Sequence, residues 1–421
     1  MIRLPITSKK TGIFLSPPTR YTSSMIKLVA GLFHNEVETK AKLCEFIQST
    51  DRLSIGPECE KFEKDFAAWQ GRQHCVLFNS GSSANLALVQ ALLNLKRIHA
   101  GDTAAFSAIT WATNVMPLVQ LGLIPLPADI ELDTLNVSSQ TFQALLDQGA
   151  DLKLLFLTNL LGFCSDIDRI KSICETRGII LIEDNCESLG TIYEGTKLGN
   201  WGLASTFSFF VGHHLSTIEG GAVCTDDAEL ARMLRLVRAH GWDRNLAEDE
   251  KQQLRDEHGI DETFFANFTF YALGYNLRPT EITGFLGNVQ LPHLDAMVRQ
   301  RHENFLQLHS AISQNPDILP LRYDHLELVS NFAVPIVGAS RQAAERHIAA
   351  LTRADVETRP LVGGAIPDQP FYKKLYGETA GIAAARQANQ HGFYFANHEG
   401  LSAAEIDVLT AALAQNLPVP A

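Results

Sequence analysis

A succession of short apolar runs constrains this chain more than any other feature. They are "HCVLF" (74–78), "TAAFSAI" (103–109), "IPLPADI" (124–130), "LKLLFLTNL" (152–160), "IILIED" (179–184), "ASTFSFF" (204–210) and "GGAVCTD" (220–226). Each is a short, mostly apolar run and reads as a strand. Helical patterns fall between several of them, at 79–95 after a turn and at 166–178. Strands alternating with helices predict an α/β domain with a mostly parallel central sheet. In such sheets ligands bind beyond the carboxyl ends of the strands, so the loops there are where function is sought.

Residues 24–50 and 58–70 read as helices ahead of the first strand, the second with Phe62, Phe66 and Trp69 at i, i+4 and i+7. From about 290 the pattern changes to helices with fewer strands, such as 330–337, and ends in a helical stretch at 402–417. The chain is long enough for one large and one smaller core. The expected division is a large domain with an N-terminal arm over 1–290 and a small α+β domain over 291–421. Residues 243–263 form a charged excursion, read as a solvated helix with loops.

Composition excludes several classes. Net charge is −12, from 35 basic and 47 acidic side chains, and no basic run stands out, which argues against nucleic-acid binding. The longest apolar run, 152–163, falls short of the roughly 20 residues a membrane helix needs, and residues 1–20 lack a signal-peptide core. Seven cysteines are scattered without a Cys-x-x-Cys pair. That pattern predicts reduced thiols in the cytoplasm and no metal site.

Four segments carry candidate chemistry. In "NSGSSANL" the amides and hydroxyls of Gly81, Ser82 and Ser83 open a helix and could bind a phosphate, although such a turn also serves as an ordinary N-cap. In "LIEDNCESLG" Asp184 ends a buried strand, with Glu187 three residues on. A buried carboxylate needs a partner: a protonated pyridine nitrogen would be one, the next helix's amides another. Trp111 in "SAITWATNV" follows a strand end, where an indole could stack on a planar ring or fill the core. The fourth, "STFSFFVGHHLSTIEGGAV", holds Ser208, the adjacent pair His213 and His214, and a Glu219-Gly220-Gly221 turn. Neighbours on a strand point to opposite faces, so only one imidazole should face a ligand. A metal shared by adjacent strand histidines is disfavoured for the same reason.

Together these segments resemble the DegT/DnrJ/EryC1/StrS family of sugar aminotransferases, vitamin B6 enzymes of the aspartate aminotransferase fold. The resemblance runs from "RLSIGPECEKFEKDF" (52–66) through "GYNLRPTEITGFLGNVQL" (274–291) and fades in the C-terminal third. It implies the type I fold of pyridoxal-phosphate-dependent transferases. The usual member has a lysine, which holds the cofactor covalently, where this chain has His213. "FFVGHHLSTIEGG" is similar to the subgroup of nucleotide-sugar 3-dehydratases with histidine there. The resemblance therefore implies pyridoxamine 5′-phosphate or pyridoxal 5′-phosphate bound non-covalently, with His213 as the base. It implies Gly81, Ser82, Ser83 and Ser208 at the phosphate, Trp111 on the ring, Asp184 at the pyridine nitrogen and Glu187 near the ring face or O3′. Asn276 would reach a neighbouring subunit's cofactor phosphate, which makes the protein a homodimer. The implied substrate is a nucleotide-linked 4-keto-6-deoxy sugar, losing its C3 hydroxyl in deoxysugar or O-antigen biosynthesis, with L-glutamate as amino donor. No cysteine follows Cys224, so the chain resembles the type without an iron–sulfur cluster. GDP and CDP both stay open as the nucleotide. A nucleotide-sugar aminotransferase and a non-catalytic scaffold are the rival readings.

Overall fold

The computed structural model describes residues 25–261 and 264–414. The opening stretch 1–20, residue 24 of the first expected helix, Glu262 and Thr263 of the charged excursion and the end of the 402–417 pattern lie outside the described residues.

The expected strands assemble into one sheet. They are β1 His74–Phe78, β2 Thr103–Ser107, β3 Ile124–Ala128, β4 Leu152–Thr158, β5 Ile180–Asp184, β6 Ala204–Ser208 and β7 Gly221–Thr225. The sheet order is β1-β7-β6-β5-β4-β2-β3. Only β7 runs against its neighbours; the other adjacent pairs are parallel. Alternate residues feed two apolar clusters. Ala105, Leu155 and Leu181 belong to one, and Ala104, Phe106, Phe156 and Ile182 to the other. Both faces are thus covered, which is why the strands read as continuous apolar runs rather than alternating ones.

The N-terminal helix is shorter than the sequence predicts. It is α1, Glu36–Ser49, and residues 25–35 are irregular, with Ile26 bridging to Val356. Asn35 sits at φ 49° immediately before the helix, which stops it extending backwards. Its first turn is acidic, and Glu36 accepts the Leu32 amide at 2.9 Å. The second helix, α2, spans Pro57–Gln70 and buries Phe62 and Phe66 as its spacing predicts. Its N-terminal amides at Glu58 and Cys59 bond the Glu281 carboxylate at 3.0 and 3.2 Å. The helix Glu281–Gln290 also packs on α1, where Phe46 stacks on Phe285 at 4.3 Å. The charged excursion contains a helix at Glu248–Glu257, mostly solvated.

Beyond residue 290 the long helix Leu294–Ile312 leads to a second sheet. It contains β8 Ala333–Val337, β9 Thr358–Pro360 and β10 Gly392–Ala396 in the order β8-β10-β9, all antiparallel. Its apolar face joins the same cluster as Leu155 and Leu181. A further ribbon pairs Leu326–Leu328 with Ile192–Tyr193, tying the later residues back to the segment that follows β5.

Candidate functional site

The parallel strands end at one edge, and a cleft of about 450 Å³ opens there. Its floor is built from strand ends and the turns beyond them: Ser80, Gly81 and Ser82 after β1, Trp111 and Asn114 after β2, Thr158 at the end of β4, Asp184 at the end of β5 and Ser208 at the end of β6. Because β7 runs the other way, its first residue, Gly221, lies at the same edge.

The turn after β1 opens the helix α3, Gly81–Asn94. Helix geometry leaves the Gly81 and Ser82 amides without intrahelical acceptors. Ser83 is placed differently from the sequence expectation: its amide and hydroxyl bond the Ser80 hydroxyl at 3.1 and 3.0 Å, and it does not line the cleft. Ser80, which the sequence reading passed over, lines it instead. The backbone here is crowded. A Cβ on Gly81 would lie 2.8 Å from the Ser208 Cβ, and one on Gly221 would lie 2.4 Å from the Gly81 nitrogen. Two glycines are needed for this turn to sit against Ser208.

Asp184 is 5% exposed, and three N–H groups orient it. Asn85 and Asn114 donate to Oδ2 at 3.1 and 2.7 Å, and the Cys186 amide donates to Oδ1 at 2.9 Å. These donors are neutral, so a cationic N–H in the cleft would find a charge-assisted partner here. Glu187 lies deeper, accepting the Leu161 amide at 3.0 Å. Burial pushes its carboxyl up to about 8; the Leu161 hydrogen bond opposes this and the Asp184 charge adds to it. Glu187 thereby keeps its proton well above the usual carboxyl range. Trp111 is 55% exposed on the cleft wall, a free stacking surface rather than a core residue.

The two histidines sit in a loop between β6 and β7, not on a strand, so strand alternation is not what separates them. They nonetheless diverge. His213 lines the cleft, its ring 5.3 Å from Phe332 and 5.9 Å from Phe210. Its Nδ1 is buried without a partner among the described residues. Burial pushes the imidazole down to about 4; Asp184 resists this and Arg301 reinforces it. His214 is fully buried, points away from this cleft and bonds the Ser330 carbonyl at 3.2 Å.

Asn276 is exposed, bonds Arg278 at 3.0 Å and is not part of the cleft in its own chain. The later sheet supplies residues the sequence reading missed: Phe332, Arg359, Val362 and Tyr394. They lie where the resemblance fades. Arg359 pairs with Glu357 at 2.7 Å, and no lysine among the described residues lines the cleft.

The residues fit a pyridoxal-type cofactor. A glycine cradle with free amides and serine hydroxyls suits a phosphate, an exposed indole suits a planar ring, and an aspartate at a strand end suits a pyridinium. Fold and site together define a vitamin B6-dependent enzyme of fold type I. The chain belongs to the DegT/DnrJ/EryC1/StrS aminotransferase family, whose model matches residues 34–414. It is 33% identical over 366 residues to a GDP-4-keto-6-deoxy-D-mannose 3-dehydratase of Yersinia pseudotuberculosis, covering 86% of this chain and 92% of that one. A solved mutant of GDP-4-keto-6-deoxymannose-3-dehydratase with bound GDP-perosamine superposes with a TM-score of 0.83 at 29% identity, covering 92% of this chain and 100% of the other. The same enzyme with a trapped PLP-glutamate geminal diamine gives 0.82 at 28% identity, covering 92% and 100%. Among the described residues no helix is long and apolar enough to cross a membrane.

Proposed function

We propose that this protein is a pyridoxamine-phosphate-dependent 3-dehydratase acting on a nucleotide-linked 4-keto-6-deoxyhexose, with His213 as its base. One observation carries the reading: an imidazole whose pKa burial lowers lines a cleft that no lysine among the described residues lines. Without lysine the cofactor is held by non-covalent contacts alone. The amides of Gly81 and Ser82 and the Ser208 hydroxyl hold its phosphate, beneath the Ser80 cap of the helix. Trp111 stacks on the ring, Asp184 keeps the pyridine nitrogen protonated, and neutral Glu187 donates toward the ring's oxygen. When bound, the cofactor supplies the amine that joins the sugar's C4 carbonyl and a ring that accepts electrons. His213 would take up the proton given up by the carbon that bears the cofactor's amine. It then returns that proton to the C3 hydroxyl as the C3–O bond breaks, so the group leaves as water.

The chain acts as a homodimer in the cytoplasm. Asn276 reaches the partner's site, which accounts for its exposure away from its own cleft. The boundary between the two domains falls at residue 290, between the helices Glu281–Gln290 and Leu294–Ile312. Seven free thiols suit a reducing compartment.

The test incubates the protein with pyridoxal phosphate, L-glutamate and GDP- or CDP-linked 4-keto-6-deoxy sugar. The expected products are the 3-deoxy-4-keto sugar, 2-oxoglutarate and ammonia in equal amounts. A 4-amino sugar without ammonia would replace this reading with transamination.

A further inference from the structure

The loop that carries His213 is closed at its base by backbone and held at its tip by a side chain. At the base the amides of Phe209, Thr217 and Val211 bond the carbonyls of Gly220, Phe209 and Ile218 at 2.9, 2.9 and 3.2 Å. Toward the tip the His213 amide turns back to the Phe210 carbonyl at 2.9 Å. The His213 ring lies against two others, Phe210 at 5.9 Å and Phe332 at 5.3 Å, and its Nδ1 has no partner among the described residues. Without a hydrogen bond there, the ring takes its direction from packing and from the backbone beneath it.

The side chain at the tip is that of His214. It is 1% exposed, and its Nε2 meets the Ser330 carbonyl at 3.2 Å. A carbonyl only accepts, so Nε2 donates. Leu215 beside it is buried among Phe62 and Phe209, but an apolar contact has no direction. The acceptor itself is fixed. The Ser330 amide donates to the Thr191 hydroxyl at 2.9 Å, and that hydroxyl donates to the Gly162 carbonyl at 3.0 Å. Asn331 packs so closely on Gly162 that a Cβ there would lie 2.5 Å from the Asn331 Cβ. Phe332, next in the chain, reaches the His213 ring. One short segment, 330–332, therefore holds both histidines, the second by a hydrogen bond and the first by an aromatic contact.

We infer that His214 is the positioning residue of the base: its bond to Ser330 fixes the loop tip so that the neighbouring imidazole stands in the cofactor cleft. The inference deepens the dehydratase reading and rests on it for what turnover should show; the place of the ring is read without turnover. Without the bond, the tip is free to carry the His213 ring away from Phe332 and into water. Burial is the main cause of that ring's lowered pKa, so a released ring should titrate nearer the 6.5 of a free imidazole. The other titratable groups lining its cleft are Asp184, Glu187, Glu219, Arg359 and Tyr394, and the Arg301 charge also reaches the ring. All six are left unaltered by the variants below, so a changed titration reports the ring's own surroundings.

The test treats cofactor-free, full-length protein with diethyl pyrocarbonate, which modifies neutral imidazole, and follows His213 by peptide mass mapping from about pH 5.5 to 7.5, a range that brackets free imidazole. In wild type the rate should be flat, because that imidazole is already neutral there. His214→Leu should slow modification on the acid side, with a midpoint near 6.5. His214→Gln, which restores an N–H toward Ser330, should return most of the flat profile. Thr191→Val frees Ser330 without touching either histidine and should shift the profile the same way by less; it decides the matter if His214→Leu does not fold, which thermal unfolding reports. In turnover His214→Leu should lose kcat roughly 10²-fold, as a misplacement of about 1 Å does, with KM for the sugar little changed. A flat profile in folded His214→Leu, or in Thr191→Val where that variant does not fold, overturns the inference. So does a shift that His214→Gln leaves in place. An amino sugar from the wild type would sink the dehydratase reading alone, since the modification profile needs no product.

Discussion

At the residue scale the decisive substitution is histidine for lysine at position 213. It was legible because "FFVGHHLSTIEGG" is distinctive; the geometry that separates His213 from His214 was not, because a loop rather than a strand carries them. His213→Asn should retain cofactor and sugar yet lose elimination by about 10² to 10⁴-fold, the usual cost of removing a general base, in steady-state assays of sugar product. His213→Lys should acquire covalently attached pyridoxal phosphate, fixed by borohydride and found at that position by peptide mass mapping; wild type should show none. Because burial holds the imidazole down to about 4, the acid limb of kcat/KM should lie below the 6.5 of a free imidazole. A limb at 6.5 or above would mean that another group takes the proton. Ser83 shows the limit of a local motif: its amide and hydroxyl are engaged by the Ser80 cap rather than turned to the cleft, and the spacing of "NSGSSANL" does not announce which serine caps.

At the scale of elements, the strands were readable because each is buried on both faces and so carries a continuous apolar run. The short ribbon Ile192–Tyr193 and Leu326–Leu328 was not, since two or three residues contain no period. β10, "GFYFA", alternates between buried and half-buried positions and follows a helix directly, so no turn announces it. The first helix was overextended because residues 25–35 are apolar enough to continue its pattern, while the stop is a backbone angle at Asn35. The start of α3 joins this scale to the site. Ser80→Ala removes the cap on Ser83 and should cost about 1 kcal/mol, read as a lowered thermal midpoint, and should weaken cofactor retention as the turn loosens. Gly221→Ala should do more damage than that, since its Cβ would meet backbone atoms of Ser80 and Gly81 at 2.4 Å, where no side chain can give way. Cofactor dissociation and thermal unfolding measure both.

At the scale of the whole molecule, α1 and the helix Glu281–Gln290 partly cover each other, so their apolar faces alone do not demand a second chain. The stronger argument is Asn276, exposed beside Phe270 and Leu273, which are 58% and 74% exposed. Sedimentation at micromolar concentration should show a dimer. Mixed dimers of His213→Asn and Asn276→Ala chains should regain activity that neither parent has, because one site per dimer then draws both residues from intact positions. No regain would place Asn276 in its own subunit's chemistry or outside it. Three groups in and beside the cleft contribute to the folded chain's pH response. His213 and His214 lie below 6.5 in the native state and so bind protons preferentially when unfolded. Their contribution is lost as pH falls below 6.5, through about 4 for His213. Glu187 works the other way. Its native carboxyl is raised from 4.5 to about 8, so the native state holds the extra proton and its contribution is lost as pH rises from 4.5 through 8. Between 4.5 and 6.5 the two kinds oppose each other; between 6.5 and 8 only Glu187 of these three still titrates. The Glu187 share of the cofactor-free protein's thermal stability should therefore fall from pH 6.5 to 8. Glu187→Gln, neutral at every pH, should flatten that slope while leaving the acid-side loss in place. An unchanged slope in the variant would show that Glu187 is ionised in the native cleft, and the neutral donor assigned to it near the cofactor ring would fall with it.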